Sequence, residues 1–444
     1  MKTPICDFVK AYNESGISRL HMPGHKGKGS LCENLDITEI KGADSLYDAD
    51  GVIKESENNA SQLFGCQTFY STEGSSHTIR AMLYLVSLYA KDNKKRPLIL
   101  AARNAHKAFL SALALLDLDV DWLIPKEQSS YLSVNISPEE LDLALRRYSE
   151  KPVALYITSP DYLGGVADVK GLAEVCHKHG LFLLVDNAHG AYLHFLSESY
   201  HPIALGADIS CDSAHKTLPV LTGGAYLQIS NSAPNIFSEQ AKGALALFGS
   251  SSPSYLILQS LDAANAYIAD DYKEELRCFI FRIQYLRKRL KTHGYTLVGN
   301  EPIKLTISTK PFGYKGEEIA ELLRNMSIEC EFSDPDFVVL MMTPSLSRSD
   351  VSRLENALLS IEKRTPIKEV PPNFFLPQRA ISIREAIMSP CERIPSKNAV
   401  GRVLAQATVG CPPAVPIIMS GEIIDDKAIK CFEYYGIDTC LVVK

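Results

Sequence analysis

From about residue 61 the chain alternates short apolar runs with stretches of helical periodicity. The runs Thr68–Ser71, Leu98–Ala101, Val120–Ile124, Val153–Ile157, Leu181–Val185 and Gly223–Leu227 have strand length, and a further one surrounds Ile209 and Cys211. Between them, His77–Ala90, Ala105–Leu116, Pro138–Tyr148 and Val169–His179 repeat their apolar positions at helical spacing. Strands apolar on both faces and separated by helices predict a largely parallel sheet covered on both sides. Residues 1–60 are rich in Gly, His and Asp and lack a long periodic segment, which predicts an arm lying across a neighbouring surface.

The pattern changes after about Ser250. Tyr255–Ile268 and Tyr272–His293 read as long helices of the kind that join domains, and shorter strands and helices from Thr296 to Lys363 predict a smaller α/β domain. Thr365–Pro377 is proline-rich and reads as a linker into a small C-terminal module whose proline-rich turn lies at Cys411–Pro416. With 444 residues the chain exceeds what one core usually supports. The predicted organisation is an arm (1–60), a large domain (61–260), a small α/β domain (261–364) and a linker with C-terminal module (365–444).

A formal net charge of -6 supplies no basic footprint for nucleic acid. No apolar run is long enough to span a bilayer, and Met1–Asp7 lacks the apolar core of a signal peptide, so a cytoplasmic protein without membrane contact is expected. Eleven cysteines occur without a Cys-x-x-Cys pair. That spacing predicts no metal site and reduced thiols.

The candidate chemistry lies at two strand ends. The apolar run Leu181–Val185 ends in Asp186-Asn187-Ala188-His189, and the run around Cys211 ends in Ser213-Ala214-His215-Lys216. Ligands of open α/β sheets bind at the carboxyl ends of strands. A carboxylate there can keep a pyridinium nitrogen protonated and a lysine can form a Schiff base, the two demands of pyridoxal 5'-phosphate. Each residue alone has a simpler explanation, a turn or cap for Asp186 and a solvated amine for Lys216. Gly74-Ser75-Ser76 precedes a long apolar helix, and free N–H groups at a helix amino terminus favour a phosphate. His189 is placed to approach the cofactor or Asp186, or to cap a helix start.

In colinear order the chain also carries His21-Met22-Pro23-Gly24-His25-Lys26-Gly27, Asp36-Ile37-Thr38-Glu39, Gly51-Val52-Ile53-Lys54-Glu55, Glu73-Gly74-Ser75-Ser76, Asn104-Ala105-His106-Lys107 and Thr158-Ser159-Pro160. After the Asp186 and Lys216 motifs come Arg384-Glu385-Ala386, Gly401-Arg402, Pro412-Pro413-Ala414-Val415-Pro416 and Ser420-Gly421-Glu422. Together these resemble the bacterial ornithine/lysine/arginine decarboxylases of the aspartate-aminotransferase fold, in the short form lacking a receiver-like domain.

The resemblance implies a fold type I α/β enzyme with pyridoxal phosphate on Lys216 and Asp186 at its ring nitrogen. His106 would stack on the ring, while Gly74, Ser75, Ser76, Ser213 and His215 would hold the phosphate and Thr158 would border the site. Ser251 and Ser252 resemble the segment that reaches a neighbour's cofactor phosphate, which implies a homodimer with shared sites. The implied reaction is decarboxylation of arginine, lysine or ornithine to an amine that feeds polyamine synthesis. Burying the distal substrate cation unpaired would be costly, so a carboxylate is expected to meet it. Glu422, which belongs to the resembling stretch, is the first choice over Asp425, with Asp161 next, although the family more often has an uncharged residue there. Transamination, aldol cleavage and a catalytically silent homologue remain alternatives at this point, because the sequence holds many arginines able to bind a carboxylate in another orientation.

Overall fold

The computed structural model describes residues 1–94, 97–126, 130–406 and 415–444. Cys411, Pro412, Pro413 and Ala414, most of the expected proline-rich turn, lie outside the described residues. Seven strands, β1 (Gln67–Ser71), β2 (Leu98–Ala102), β3 (Asp119–Leu123), β4 (Ala154–Thr158), β5 (Phe182–Asp186), β6 (Ile209–Asp212) and β7 (Ala225–Ile229), form a sheet in the order β1-β7-β6-β5-β4-β2-β3. Every residue of β2, a continuous apolar run, is buried, as coverage on both faces requires, and so is every residue of β7, Gln228 included. β2 pairs with β3 and β5 with β6 in parallel, whereas β7 runs antiparallel to both β1 and β6.

The chain divides into two compact units. The first comprises Met1–Pro97, Glu150–Tyr156 and Val169–Glu275. Its helix Ser75–Asp92 buries Ile79, Met82, Leu83, Val86 and Ala90, an i, i+3, i+4, i+7 stripe, and packs against β6, β7 and the helix Asn235–Phe248. The latter was not anticipated. Its buried set, Phe237, Ala241, Ala244 and Leu245, is mostly small residues, which blur an apolar period.

Two helices correct the expectation of an aperiodic arm: Pro4–Glu14 and Val52–Phe64. The buried face of the second is Ile53, Ser56, Glu57, Ala60 and Phe64, a helical stripe that includes the polar residues Ser56 and Glu57. Those polar groups find partners inside the fold. Ser56 Oγ donates to Asp262 Oδ1 at 2.6 Å, and Glu57 pairs with Lys242 at 2.5 Å. Periodicity counted on apolar residues alone misses such a helix. Between these helices the chain is irregular.

The second unit comprises Leu98–Ser149, Ile157–Asp168 and Leu276–Lys444. It holds a four-stranded antiparallel sheet in the order Phe332–Ser333, Phe337–Met341, Lys304–Ser308, Thr296–Val298. The helices Gly316–Asn325 and Arg348–Ser360 follow its strands in sequence. Residues 362–378 contain no helix or strand, consistent with their prolines. Beyond them Cys391–Pro395, Thr439–Val443 and Leu404–Gln406 form a three-stranded sheet, packed with the helix Asp426–Tyr434 around Leu404, Ile424, Phe432 and Val442.

Candidate active site

Asp186 is the last residue of β5, 2% exposed, with its Oδ2 accepting from Tyr156 Oη at 3.1 Å and Oδ1 from Ala188 N at 3.2 Å. Burial pushes its carboxyl above the ordinary value, and the nearby Lys216 charge pulls it back. Lys216 lies in the single helical turn Ala214–Thr217 that follows β6, with Nζ 2.9 Å from His189 Nε2. An ammonium only donates, so His189 Nε2 accepts in that contact. Acid, amine and imidazole therefore come together at the ends of adjacent parallel strands.

A second cluster gathers the hydroxyls. Gly74 precedes the helix Ser75–Asp92 at φ +72°, with open space where a Cβ would stand. Ser213 Oγ donates to Ser75 Oγ at 2.8 Å, and Gly74 N donates to Gly223 O at 2.7 Å. Gly223 has φ +102°, and a Cβ there would meet Thr72 O at 2.7 Å, so the turn carrying this contact tolerates only glycine. His215 Nδ1 donates to Gly224 O at 3.0 Å, and burial holds its imidazole below the ordinary value. Glu73 captures the amide of Ser250 at 2.6 Å, which explains an acid beside a hydroxyl-rich loop: it fixes the start of Ser250–Ser252, whose Ser251 and Ser252 are exposed.

In the second unit His106 is the N-cap of the helix Lys107–Leu116, its Nδ1 accepting from Ala108 N at 3.1 Å. The helix thus begins two residues later than expected, because His106 takes the capping role. Thr158 Oγ1 donates to Asn104 O at 3.4 Å. Asp161 is 4% exposed; it accepts from Gly165 N at 2.7 Å and from Ser133 Oγ, and burial raises its carboxyl. Glu422 is 3% exposed and its oxygens accept from Arg103 Nη1 at 2.6 Å and Nη2 at 2.9 Å. Asp425 caps the helix Asp426–Tyr434.

Sequence reasoning overlooked Tyr156, Arg103 and a buried network on Asp212. Asp212 is fully buried and accepts from His201 Nε2 at 2.8 Å, Asn187 Nδ2 at 2.9 Å and Ser210 Oγ at 2.9 Å. Asn187 follows Asp186, so this network anchors the turn that carries the acid. An acid ending the short strand β6 was the available signal for Asp212. Among the described residues no His/Cys/Asp/Glu group could hold a metal ion, and no helix is long and apolar enough to cross a membrane.

A mostly parallel α/β sheet with a buried acid ending one strand and a lysine after the next is the architecture of fold type I enzymes. Two solved structures share that fold along nearly the whole chain. They are a lysine decarboxylase from Francisella novicida (TM-score 0.78, 17% identity, 100% of this chain and 81% of that one) and lysine decarboxylase A from Pseudomonas aeruginosa (0.80, 16%, 99% and 80%). The chain belongs to the Orn/Lys/Arg decarboxylase family: the family's major domain matches residues 3–300 and its C-terminal domain residues 365–438. An arginine decarboxylase of Bacillus subtilis is 30% identical over 477 aligned residues, spanning 100% of this chain and 95% of that protein.

Proposed function

We propose that this chain decarboxylates arginine, lysine or ornithine to the corresponding amine, using pyridoxal 5'-phosphate held by Lys216. The observation that carries the reading is the grouping of Asp186, His189 and Lys216 in a chain of this family. The donor set suits the cofactor. Gly74, Ser75 and Ser76 stand at the amino terminus of an 18-residue helix with Ser213 linked to them, a setting that favours a phosphate. Among the described residues neither polar end of the buried Asn104 amide has a partner, two residues from His106.

When bound, pyridoxal phosphate supplies a carbonyl carbon for amine capture and a protonated ring that withdraws electrons from the bond to the departing carboxylate. Lys216 Nζ provides the anchoring amine, and its contact with His189 gives its proton a local acceptor. Asp186, oriented by Tyr156 and the Ala188 amide, holds the proton on the ring nitrogen. His106 would cover the ring face, with Thr158 beside it, and His215 would join the phosphate donors. Of the two carboxylates proposed for the distal substrate cation, Asp161 accepts from neutral donors at its side-chain oxygens, with the Lys304 ammonium on its backbone carbonyl at 3.2 Å, whereas Glu422 is already in a two-pronged ion pair with Arg103. Asp161 is therefore the stronger choice. We read the active unit as a homodimer in which Ser251 and Ser252 complete the neighbouring site, and the chain as an arm to residue 60, a large domain to 260, a small domain to 364 and a C-terminal module.

The test is release of carbon dioxide by purified protein from each of the three basic amino acids. An α-keto acid formed without carbon dioxide would refute decarboxylation. Asp186→Asn is expected to bind the cofactor and lose most turnover, since an amide cannot stabilise the ring proton; near-normal turnover would remove Asp186 from the site.

A further inference from the structure

We propose that Glu422 acts as a positioning residue for His106: through a buried, two-pronged ion pair with Arg103 it sets the turn that presents the His106 ring. This rests on the reading of His106 as the ring that covers the cofactor. Arg103 and Glu422 are separated by 319 residues, yet Nη1 and Nη2 bond Oε1 and Oε2 at 2.6 and 2.9 Å with side chains 2% and 3% exposed.

Each partner is itself held. The second oxygen of Glu422 accepts from Met419 N at 2.8 Å, and its own backbone is fixed by Glu422 N to Met419 O at 3.2 Å and by Leu404 N to Glu422 O at 2.9 Å. Gly421 stands at φ +88° with no room for a Cβ beside Ile381 O, so the turn bearing Glu422 has one conformation. On the other side the Arg103 guanidinium lies 5.5 Å from the centroid of the Trp122 ring, and Nη2 donates to Ile417 O at 3.4 Å. Arg103 directly follows β2, and only Asn104 and Ala105 separate it from His106. The same turn is held a second time where Thr158 Oγ1 meets Asn104 O.

A buried ion pair is a poor source of net stability, because the desolvation of two charges offsets their attraction. What it supplies is geometry. A planar guanidinium facing a carboxylate through two parallel hydrogen bonds fixes direction as well as distance, which an apolar contact of the same volume does not. Placed three residues before a ring that must lie flat on a ligand, that constraint acts on binding geometry. It also gives Glu422 a use other than the substrate's distal cation, since both its oxygens are engaged.

The experiment strips and reloads the full-length protein with pyridoxal phosphate and reads two quantities, the dissociation constant and the visible circular dichroism of bound cofactor, which reports ring orientation. Glu422→Gln and the double variant Arg103→Met/Glu422→Met are compared with His106→Ala. The double variant removes both charges together, so that neither is left buried and unpaired. Both pair variants are expected to weaken cofactor binding about tenfold and to diminish the dichroic band as His106→Ala does. Adding His106→Ala to the double variant should then have little further effect. A folded double variant with affinity within about twofold of the parent and an unchanged band, beside an altered His106→Ala, overturns the proposal. If His106→Ala is itself indistinguishable from the parent, the reading of His106 falls and the proposal with it. Should the double variant not fold, Arg103→Lys, which keeps the charge and loses the two-pronged geometry, is read by the same criteria.

Discussion

Asp262 provides the sharpest test of why the amino-terminal segment is helical. The helix Pro4–Glu14 begins after Thr3, whose side chain makes no capping bond, and Pro4 has no N–H to satisfy. The next two amides, Ile5 N and Cys6 N, donate instead to Asp262 Oδ2 at 2.9 and 3.0 Å, from a helix more than 250 residues away in sequence. Ser56 Oγ donates to the other oxygen. Hydrogen bonds to a charged acceptor contribute roughly 1.5–3 kcal/mol each, and a carboxylate at a helix amino terminus adds up to about 1 kcal/mol. Against this stands burial, which raises the Asp262 carboxyl above its ordinary value and so marks a desolvation cost. The net loss expected for Asp262→Ala is about 3 kcal/mol, concentrated in Pro4–Glu14. Asp262→Asn retains an acceptor for the two amides and should cost about 1 kcal/mol. Hydrogen exchange followed by mass spectrometry reads this locally. Amides of residues 5–14 should exchange on the order of a hundredfold faster in the Ala variant and several-fold faster in the Asn variant. Unchanged protection of this segment in Asp262→Ala would refute the capping argument.

Two further outcomes are expected. Asp334, with Oδ1 accepting from Asp336 N and Phe337 N at 2.7 Å, has its carboxyl pushed by burial to about 7 from an ordinary 3.8. The folded state then binds the proton more tightly, so this group's contribution falls as pH rises from about 4 to 7, by on the order of 4 kcal/mol in total. Asp334→Asn should therefore raise the thermal midpoint relative to the parent at pH 8 and not at pH 4; an equal change at both would refute the assignment. Gly223→Ala places a Cβ against Thr72 O at φ +102° and should cost about 2–3 kcal/mol with weaker cofactor binding, whereas Gly180→Ala, at φ +74° with nothing within 4 Å, should cost about 1 kcal/mol and leave binding alone. Thermal melts and cofactor titrations of the two variants check both, and similar melting losses would mean that the contact at Thr72 is relieved.

Much of the sheet was legible before any coordinates. Leu98–Ala101 and Leu181–Val185 were recognisable as strands because a strand buried on both faces must be apolar at successive positions; the observed β2 is one residue longer and β5 is shifted by one residue. Asp186 and Lys216 stood out for the related reason that a charge ending such a run sits at the sheet edge. The helix Val52–Phe64 was not legible, since Ser56 and Glu57 occupy its buried face and find their partners elsewhere in the chain, among them Tyr70, Asp262 and Lys242. Glu422 shows the same limit at the site. Its position in a Ser-Gly-Glu turn was plain, and nothing local indicated that Arg103 would meet it.

The sequence by itself determined which segments could be strands or helices, where an acid and an amine end adjacent buried strands, and the family to which the chain belongs. These are local properties, carried by apolar periodicity, turn chemistry and colinear motifs. Tertiary structure alone decided which polar groups are satisfied and by whom: Asp212 by His201 and Asn187, Glu73 by the Ser250 amide, Arg103 by Glu422. The physical reason is that burying a polar group is costly until a partner is supplied. The partner can come from any point of the chain that folding brings within about 3 Å, so a one-dimensional pattern does not encode it.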